Sequence, residues 1–197
     1  MSGLLIADTV PLIAGSSGAV SSAPTHLLKG LSTYLERVQQ RSLQSLALSQ
    51  DLADVDWGKA WQDYAQLLKQ ASGEVVTIAY PGSLGDAIDG HSTLANLCQD
   101  WRLSVLLTLP PLPYAISVAA AFAALATSSK APLVGYVLVG DSATLDESGV
   151  DITTLSQHVE AIARVPVLGH LPNTMGSQED NALFAAAAAL NWELLPW

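Results

Sequence analysis

Residues 12–22 read LIAGSSGAVSS and place two glycines, Gly15 and Gly18, on either side of a pair of serines. A loop that holds nucleotide phosphates needs backbone N–H groups around the phosphates, a lysine that reaches the terminal phosphates and a hydroxyl group for magnesium. The nearest lysine is Lys29, eleven residues after Gly18, in a segment whose pattern predicts a helix. The sequence therefore favours a flexible turn here over a phosphate-binding loop.

A second group of candidate residues follows a predicted strand. The segment YPGSLGDAIDG, residues 80–90, contains Gly82, Ser83, Gly85, Asp86 and Asp89. Free N–H groups in such a turn can bind an anion, and the carboxylates can bind magnesium. The alternative is a loop in which glycine and aspartate only form turns. The sequence leaves both possibilities open.

Three further predicted strands end in turn-rich segments, TLPPLPY, VGDSATLDESG and HLPNTMGSQED. Asp141 and Ser142 in the second of these can face a ligand or cap the following turn. His91 and His170 have no cysteine or second histidine at metal-ligand spacing, so we expect no metal site. No nucleophile with a neighbouring base is visible, and we assign no catalytic residue.

The elements that would position these turns alternate along the chain. Four apolar segments have the composition of buried strands: EVVTIAY, WRLSVLLTL, LVGYVLVG and VPVLGHL. Helix-length segments separate them: HSTLANLCQD, YAISVAAAFAALATSS and DITTLSQHVEAIAR. This pattern predicts an α/β fold with a mostly parallel sheet and helices on both faces. Ligands bind beyond the carboxyl ends of such strands, where the four turns lie.

The first part of the chain is predicted to be mainly helical. Apolar residues between Thr25 and Leu48 recur at close to the helical period. The segment DWGKAWQDYAQLLKQA predicts an amphipathic helix with Asp56 or Asp54 as N-cap and Gly73 after its last turn. Its aromatic stripe is either part of the core or a docking face for a partner.

We predict a single domain over residues 1–197. Within it we expect an irregular N-terminal segment over 1–24, helices over 25–72, and alternating strands and helices over 73–197. No repeat of fixed period and no composition break marks a linker.

Composition excludes several classes of protein. Hydrophobic residues make up 50% and charged residues 13% of the 197, which is typical of a globular chain with a large core. The net charge of −10 and the absence of basic runs argue against nucleic-acid binding. The uncharged run from Leu103 to Ser129 is long enough to cross a bilayer, but Pro110, Pro111 and Pro113 interrupt it. We therefore predict a strand, a turn and a helix there and no membrane span.

The single cysteine, Cys98, can form neither an internal disulfide nor a zinc cluster, and we expect it to be a buried apolar residue. It fits a reducing compartment. The N-terminus lacks the pattern of a signal peptide. We expect a cytoplasmic protein.

The order of these motifs resembles the C-terminal half of the dethiobiotin synthetases, ATP-dependent enzymes of biotin biosynthesis. The resemblance covers about residues 70–197 and includes the closing segment LNWELLPW. In that family a Pro-x-Leu-Gly-x-x-Pro segment closes the adenine pocket, and Pro166, Leu168, Gly169 and Pro172 match it. The resemblance implies a fold like that of P-loop nucleotide hydrolases.

The functional motifs of the family are changed in this chain. AYPGS, residues 79–83, stands where the family has a Glu-Gly-Ala-Gly-Gly turn whose glutamate holds magnesium. Asp141 stands in place of the asparagine of a Val-x-Asn motif that contacts adenine. The segment before SAPTHLLKG is short, so we expect a fold truncated at its N-terminal side, with the phosphate-loop half degenerate or missing. The resemblance implies that any bound nucleotide contacts Gly82, Ser83, Gly85, Asp141, Pro172 and Asn173.

Phosphoryl transfer depends on a phosphate loop, its lysine and magnesium, so their loss predicts loss of catalysis. We expect a binding, regulatory or assembly component without a cofactor, with a protein partner or as a homo-oligomer. Trp192 and Trp197 are candidate partner anchors, with burial in the core as the alternative. The first alternative is a divergent dethiobiotin synthetase that uses ATP and Mg²⁺. The second is an unrelated α/β protein-interaction domain.

Overall fold

The computed structural model describes residues 3–9, 23–48, 55–71, 75–140, 151–172 and 179–195. Within these ranges the strands are β1 Leu4–Asp8, β2 Leu43–Ala47, β3 Val75–Ser83, β4 Ser104–Leu109, β5 Leu133–Gly140 and β6 Val167–Pro172. The α-helices are α1 Ala23–Tyr34, α2 Trp57–Gln70, α3 Leu94–Asp100, α4 Ala115–Ser129, α5 Ile152–Ala163 and α6 Glu179–Ala188. A π-helical turn, Leu35–Gln39, follows α1, and a 3₁₀ turn, Trp192–Leu194, lies near the C-terminus.

The strands form one parallel sheet in the order β2-β3-β1-β4-β5-β6. Successive residues of a strand point to opposite faces. In β1, Leu4 and Ile6 join one core layer, and Leu5 and Ala7 join the other. Helices α1 and α6 cover the first layer, and α2, α3, α4 and α5 cover the second. The predicted parallel sheet with helices on both faces is therefore confirmed.

The chain leaves β1 and β4 in opposite directions along the sheet. β1 is followed by α1 and then by β2, beyond β3, whereas β4 is followed by α4 and by β5 on the other side. A ligand crevice forms beyond the carboxyl ends of neighbouring strands whose connections diverge in this way. Because β1 and β4 are neighbours, this fold places its crevice at their carboxyl ends.

Two strands lie where we expected none. Leu4–Asp8 was expected to be irregular and Leu43–Ala47 to be helical, yet they form β1 and β2. β1 has only five residues, four of them apolar, which is too few for periodicity to reveal it. Leu43 and Leu46 fit helical spacing. The helical segment nevertheless stops before them, because the residue that caps the π-helical turn, Gln40, has a left-handed φ of 51°. The sequence does not indicate that the helix ends here, because glutamine rarely adopts a left-handed conformation.

The N-terminal side of the chain contributes two strands and a helix to the fold, and its truncation relative to the dethiobiotin synthetases stays a prediction. Strand β1, helix α1 and strand β2 follow one another along the chain. The Gly/Ser segment between Gly15 and Gly18 falls in residues 10–22, outside the described ranges. The structure thus has a strand before this segment and a helix after it, and the sequence between β1 and Lys29 contains no lysine.

Most of the other predicted elements are confirmed. Helix α2 has Asp56 as N-cap, with the carboxylate accepting a hydrogen bond from the Lys59 N–H at 3.0 Å. Strand β5 spans the predicted LVGYVLVG. The run from Leu103 to Ser129 forms β4, a turn and α4. In the part of the chain that the structure describes, no helix is both long and apolar enough to cross a membrane.

Trp192 is a core residue and not a docking anchor. It is 1% exposed, and its indole N–H donates to the carbonyl of Ala187 at 2.7 Å. The other candidate anchor, Trp197, lies outside the described residues. In the aromatic stripe of α2, Tyr64 is buried and stacks on Trp101, whereas Trp61 is 43% exposed. Packing therefore accounts for most of that stripe.

Candidate functional site

The turn after β3 folds around its own carboxylate. Asp86 accepts hydrogen bonds from the hydroxyl group of Tyr80 at 2.6 Å and from the N–H of Ser83 at 2.9 Å. The hydroxyl oxygen of Ser83 accepts from the N–H of Gly85 at 3.0 Å. A side chain at Gly82 would meet both Tyr80 and Asp86. An anion at this turn would have to displace these bonds and approach a carboxylate, which disfavours it.

Asp89 forms a second turn in the same segment. Its carboxylate accepts from the N–H groups of His91 at 2.7 Å and Ser92 at 2.6 Å. These bonds hold the pKa of Asp89 below its usual value, because they stabilise the charged form. Among the described residues, no three His, Cys, Asp or Glu side chains are grouped to hold a metal ion. These hydrogen bonds support the interpretation that Asp89 forms a turn.

Ala79 faces the side of the sheet that carries α1. It pairs with Ile6 of β1, and paired residues of neighbouring strands point to the same face. Ile6 lies in the core layer that α1 covers. Ala79 is 5% exposed, and its methyl group has no atom that can ligate magnesium. The resemblance aligns this position with a glutamate that holds magnesium. Ala79 thus faces α1 but cannot bind the ion.

The first lysine after β1 lies well inside α1. Six residues separate Lys29 from Ala23, the first residue of the helix, which is about 9 Å along the helix axis. Lys29 lies on the exposed side of α1, between the buried residues Leu27 and Leu31. The structure therefore does not bring Lys29 to the carboxyl ends of the strands.

Two histidines hold the carboxyl ends of β5 and β6. Nε2 of His170 lies 3.1 Å from the carbonyl oxygen of Gly140, and Nε2 of His26 lies 3.1 Å from that of Pro172. Burial lowers the pKa of His170, and the hydrogen bond to Gly140 opposes that effect. These contacts connect α1, β5 and β6 at the rim of the crevice. Sequence reasoning missed His26, because a lone histidine in a helix carries no signal.

The predicted contact residues form two separate groups. Gly82, Ser83 and Gly85 lie at the end of β3, and Pro172 ends β6 beside its pairing partner Gly140. Four strand spacings, about 19 Å, separate the two groups. Asp141 and Asn173 lie outside the described residues. That all six residues contact a nucleotide stays a prediction.

A cavity of about 270 Å³ lies between the two groups, at the crevice that the topology creates. Its lining comes from the start of α1, the ends of β4 and β5, and the turn after β4: Ala23, Thr108, Leu109, Pro110, Leu112, Tyr114 and Val139. The hydroxyl group of Thr108 points to the carbonyl oxygen of Ala7 at 3.4 Å. The lining is therefore mostly apolar. Sequence reasoning placed TLPPLPY at a strand end but assigned no ligand contact within it.

No model of a protein family matches this chain. The ATP-dependent dethiobiotin synthetase BioD of Gloeothece citriformis (strain PCC 7424) is 30% identical over 143 residues, which are 72% of this chain and 62% of that enzyme. The enzyme of the same name from Synechocystis sp. (strain ATCC 27184 / PCC 6803 / Kazusa) is 32% identical over 136 residues, 69% of this chain and 56% of the relative. The chain resembles the dethiobiotin synthetases. The matched segment spans about three fifths of these relatives.

Solved structures show the fold of this dethiobiotin-synthetase-like chain. The septum site-determining protein MinD of Pyrococcus horikoshii OT3, solved with Mg-ADP, superimposes with a TM-score of 0.57 over 98% of this chain and 96% of MinD, at 12% identity. MinD of Aquifex aeolicus gives a TM-score of 0.52 over 93% and 87%, also at 12% identity. The chain thus shares the fold of these MinD proteins. The likeness to dethiobiotin synthetases argues against the interpretation as an unrelated α/β domain.

Proposed function

We propose that this dethiobiotin-synthetase-like protein has lost ATP-dependent catalysis and acts as a binding, regulatory or assembly component. The observation that carries the proposal is the buried methyl group of Ala79. It faces the side of the sheet that carries α1, because it pairs with Ile6 of that core layer, and it stands at the position where the resemblance implies a glutamate that holds magnesium. Without a ligand there, the charge that develops on a transferring phosphoryl group has one stabilising ion fewer.

The lysine is the second missing group. No lysine or arginine occurs between β1 and Lys29, and Lys29 lies about 9 Å up the axis of α1. Phosphoryl transfer is almost entirely positioning and electrostatic stabilisation. Removing one preorganised charge-stabilising group typically lowers a rate about 10²- to 10³-fold. Two such losses predict a rate at least about 10⁴-fold below that of an intact enzyme.

Nearby residues do not compensate for these losses. Asp86 is the first carboxylate after Ala79 in the sequence, and it is engaged by Tyr80 and Ser83. Releasing it for a metal would break two charge-assisted hydrogen bonds.

The alternative is a divergent dethiobiotin synthetase that binds ATP and Mg²⁺. It is supported by the presence of β1, in a segment that we expect to be irregular, and by the cavity at the carboxyl ends of β4 and β5. Under this alternative a cation must reach the phosphates. Lys29 and Lys59 are the only lysines in the first third of the chain, and of the two only Lys29 lies on a helix that borders the cavity.

Assays of dethiobiotin formation and ATP consumption test the two proposals, with the Synechocystis sp. enzyme as positive control. We expect the rate of product formation to be at least about 10⁴-fold lower than that of the control enzyme. Turnover above that limit that Lys29→Ala removes would refute the loss of catalysis. Lys59→Ala is the matched control, because Lys59 lies on α2, on the other face of the sheet.

Calorimetric titration with Mg-ATP separates two forms of a non-catalytic protein. Heat of binding without turnover would make the nucleotide a ligand of a binding component. The absence of heat, with no rise in thermal stability at millimolar nucleotide, would indicate a component that works without nucleotide.

A further inference from the structure

After Lys69 the chain contains only three lysine or arginine residues, Arg102, Lys130 and Arg164. Each of them lies just after the end of a helix, α3, α4 or α5, and just before the next strand, β4, β5 or β6. These strands are neighbours in the sheet, so the three cations lie together beside the amino ends of the strands. We call them the basic row. The crevice described above lies at the opposite ends of the strands.

The three helices that precede the basic row pack side by side on one face of the sheet. Their buried residues belong to one core layer, and α4 contacts both α3 and α5. The axes of packed helices are about 8–10 Å apart, so neighbouring members of the basic row are separated by about that distance. The surface thus presents three positive charges over about 20 Å.

The backbone at the basic row is one that lysine and arginine seldom adopt. The φ angles of Arg102, Lys130 and Arg164 are 55°, 57° and 56°, in the left-handed region where residues other than glycine are uncommon. Glycine usually occupies this position after a helix. A cation in the last helical turn would also interact favourably with the helix dipole, and none of the three helices has one there. Helix termination therefore does not explain why all three residues are cations.

The charges of the basic row are available to a partner. All three side chains are exposed, and among the described residues none forms an ion pair or a side-chain hydrogen bond with them. Glu160 lies one helical turn before Arg164, but its carboxylate accepts from the N–H of Val167. Unpaired cations on a chain whose net charge is −10 indicate a surface for a ligand of negative charge.

A groove of about 410 Å³ lies between α4 and α5, next to two members of the basic row. Its lining comes from the second half of α4 and the last turn of α5, which directly precede Lys130 and Arg164. Ala120 and Ala124 lie on one side, and Ile162, which is 61% exposed, lies on the other. The small side chains of α4 allow another helix to approach closely. The ligand of this surface therefore has an apolar part as well as negative charge.

We propose that the basic row and the groove between α4 and α5 bind an amphipathic helix of another protein, with acidic residues in its first turn. Acidic residues stabilise the N-terminus of a helix, which carries a partial positive charge. With that turn at Lys130 and Arg164, the bound helix runs along the groove antiparallel to α4. Its apolar residues, at spacings of three and four, then face Ile162 and the alanines of α4. This inference rests on the proposed role as a binding component and gives that role a partner of defined chemistry.

The size of the groove and the charge of the chain favour a single helix over a larger polyanion. The groove follows α4 from Ala120 to Ser128, which is about 12 Å, or about two helical turns. A nucleic acid or an anionic membrane would bring many more negative charges against a chain with a net charge of −10. A short acidic turn meets only the basic row.

Fluorescence anisotropy with a labelled synthetic peptide tests the proposal on the full chain. The peptide has about 16 residues, about 24 Å as a helix, with glutamate at its first four positions and leucine at spacings of three and four after them. We expect binding with Kd in the micromolar range, weakened at high salt because salt screens exposed charges. A control peptide with glutamine in place of glutamate should bind more weakly.

Paired substitutions separate the charges of the basic row from its backbone. Lys130→Gln with Arg164→Gln should weaken peptide binding by about 2- to 30-fold, as expected for the loss of two exposed ion pairs. Lys59→Gln with Lys69→Gln is the matched control, because both lysines are exposed on α2. Lys130→Gly with Arg164→Gly should weaken binding to the same extent without lowering Tm, because glycine adopts a left-handed φ at no steric cost.

Ala124→Gln and Ala121→Gln test the groove. Both alanines are exposed on α4, but only Ala124 lines the groove, so we expect only Ala124→Gln to weaken binding. The proposal would be overturned by no binding at millimolar peptide, by equal effects of the two glutamine pairs, or by equal effects of the two alanine variants. Binding to phosphatidylserine vesicles without binding to the peptide would also overturn it and assign the basic row to a membrane surface.

The peptide assay contains no nucleotide and measures no turnover. Its failure would remove the helical partner and leave the proposed loss of catalysis standing. Dethiobiotin formation by the chain would refute that loss and leave peptide binding unaffected.

Discussion

Removing the hydroxyl group of Tyr80 should destabilise the turn at the end of β3. Tyr80 is 1% exposed, and its hydroxyl group donates to Asp86 at 2.6 Å. A hydrogen bond to a charged group contributes about 1.5–3 kcal/mol, and Asp86 is half-buried. We therefore expect Tyr80→Phe to lower the free energy of unfolding by about 2 kcal/mol, the lower half of that range. For a chain of this length that corresponds to about 4–8 °C in Tm.

Urea unfolding of Tyr80→Phe, Asp86→Ala and the double variant measures the interaction as a double-mutant cycle. We expect a coupling energy of about 1–2 kcal/mol, because the two groups share one short hydrogen bond. Tyr114→Phe is the control: Tyr114 is 48% exposed, and no described residue bonds to its hydroxyl group. If Tyr80→Phe were as stable as Tyr114→Phe, or the coupling were near zero, the turn would not depend on its carboxylate. The argument against an anion at Gly82 and Ser83 would then fail.

Two further substitutions test the core. Burial raises the pKa of the Cys98 thiol from 9.0 to about 12, so its contribution to stability is complete below pH 9 and is lost as the pH rises towards 12. Between pH 7 and 10 the parent chain should therefore lose about 1.4 kcal/mol more than Cys98→Ala; equal losses in urea unfolding at both pH values would contradict the burial of the thiol. Tyr64→Phe leaves the buried N–H of Gly3 without its 3.1 Å partner and should cost about 1–3 kcal/mol. A variant with unchanged stability would show that α2 is not anchored to the start of β1.

The fold from α2 onwards was predictable because its strands are apolar throughout and its helices have clear signals at their ends. β5 coincides with LVGYVLVG, and Asp56 caps α2 as the pattern indicated. β1 and β2 escaped prediction. β1 is only five residues long, and the leucines of β2 match a helical period by coincidence, so the sheet and not local periodicity determines both.

The sequence predicted where the candidate site lies on the sheet better than it predicted the contacts of its side chains. The predicted strand ends located the turn at Gly82 and the end of β6. In the structure both lie at the carboxyl ends of parallel strands of one sheet. The closure of the turn by Tyr80 and Asp86 was not visible, because a tyrosine at a strand end predicts burial and says nothing of its hydroxyl partner. The direction of Ala79 required the register with Ile6, which no single sequence supplies.

The distribution of tryptophans provides an optical reporter for each half of the molecule. In one cluster, Trp57 and Trp61 lie with their ring centroids 6.2 and 5.1 Å from that of Trp101. Trp57 and Trp101 pack against one core layer, whereas Trp192 is buried in the other layer, 5.9 Å from Tyr34. Rings this close couple their electronic transitions, so near-ultraviolet circular dichroism follows the cluster. Replacing Trp192 and Trp197 with phenylalanine would leave fluorescence from the cluster alone. Comparing that signal with the signal of the parent chain during denaturation would show whether the two sides of the sheet lose their packing together or in sequence.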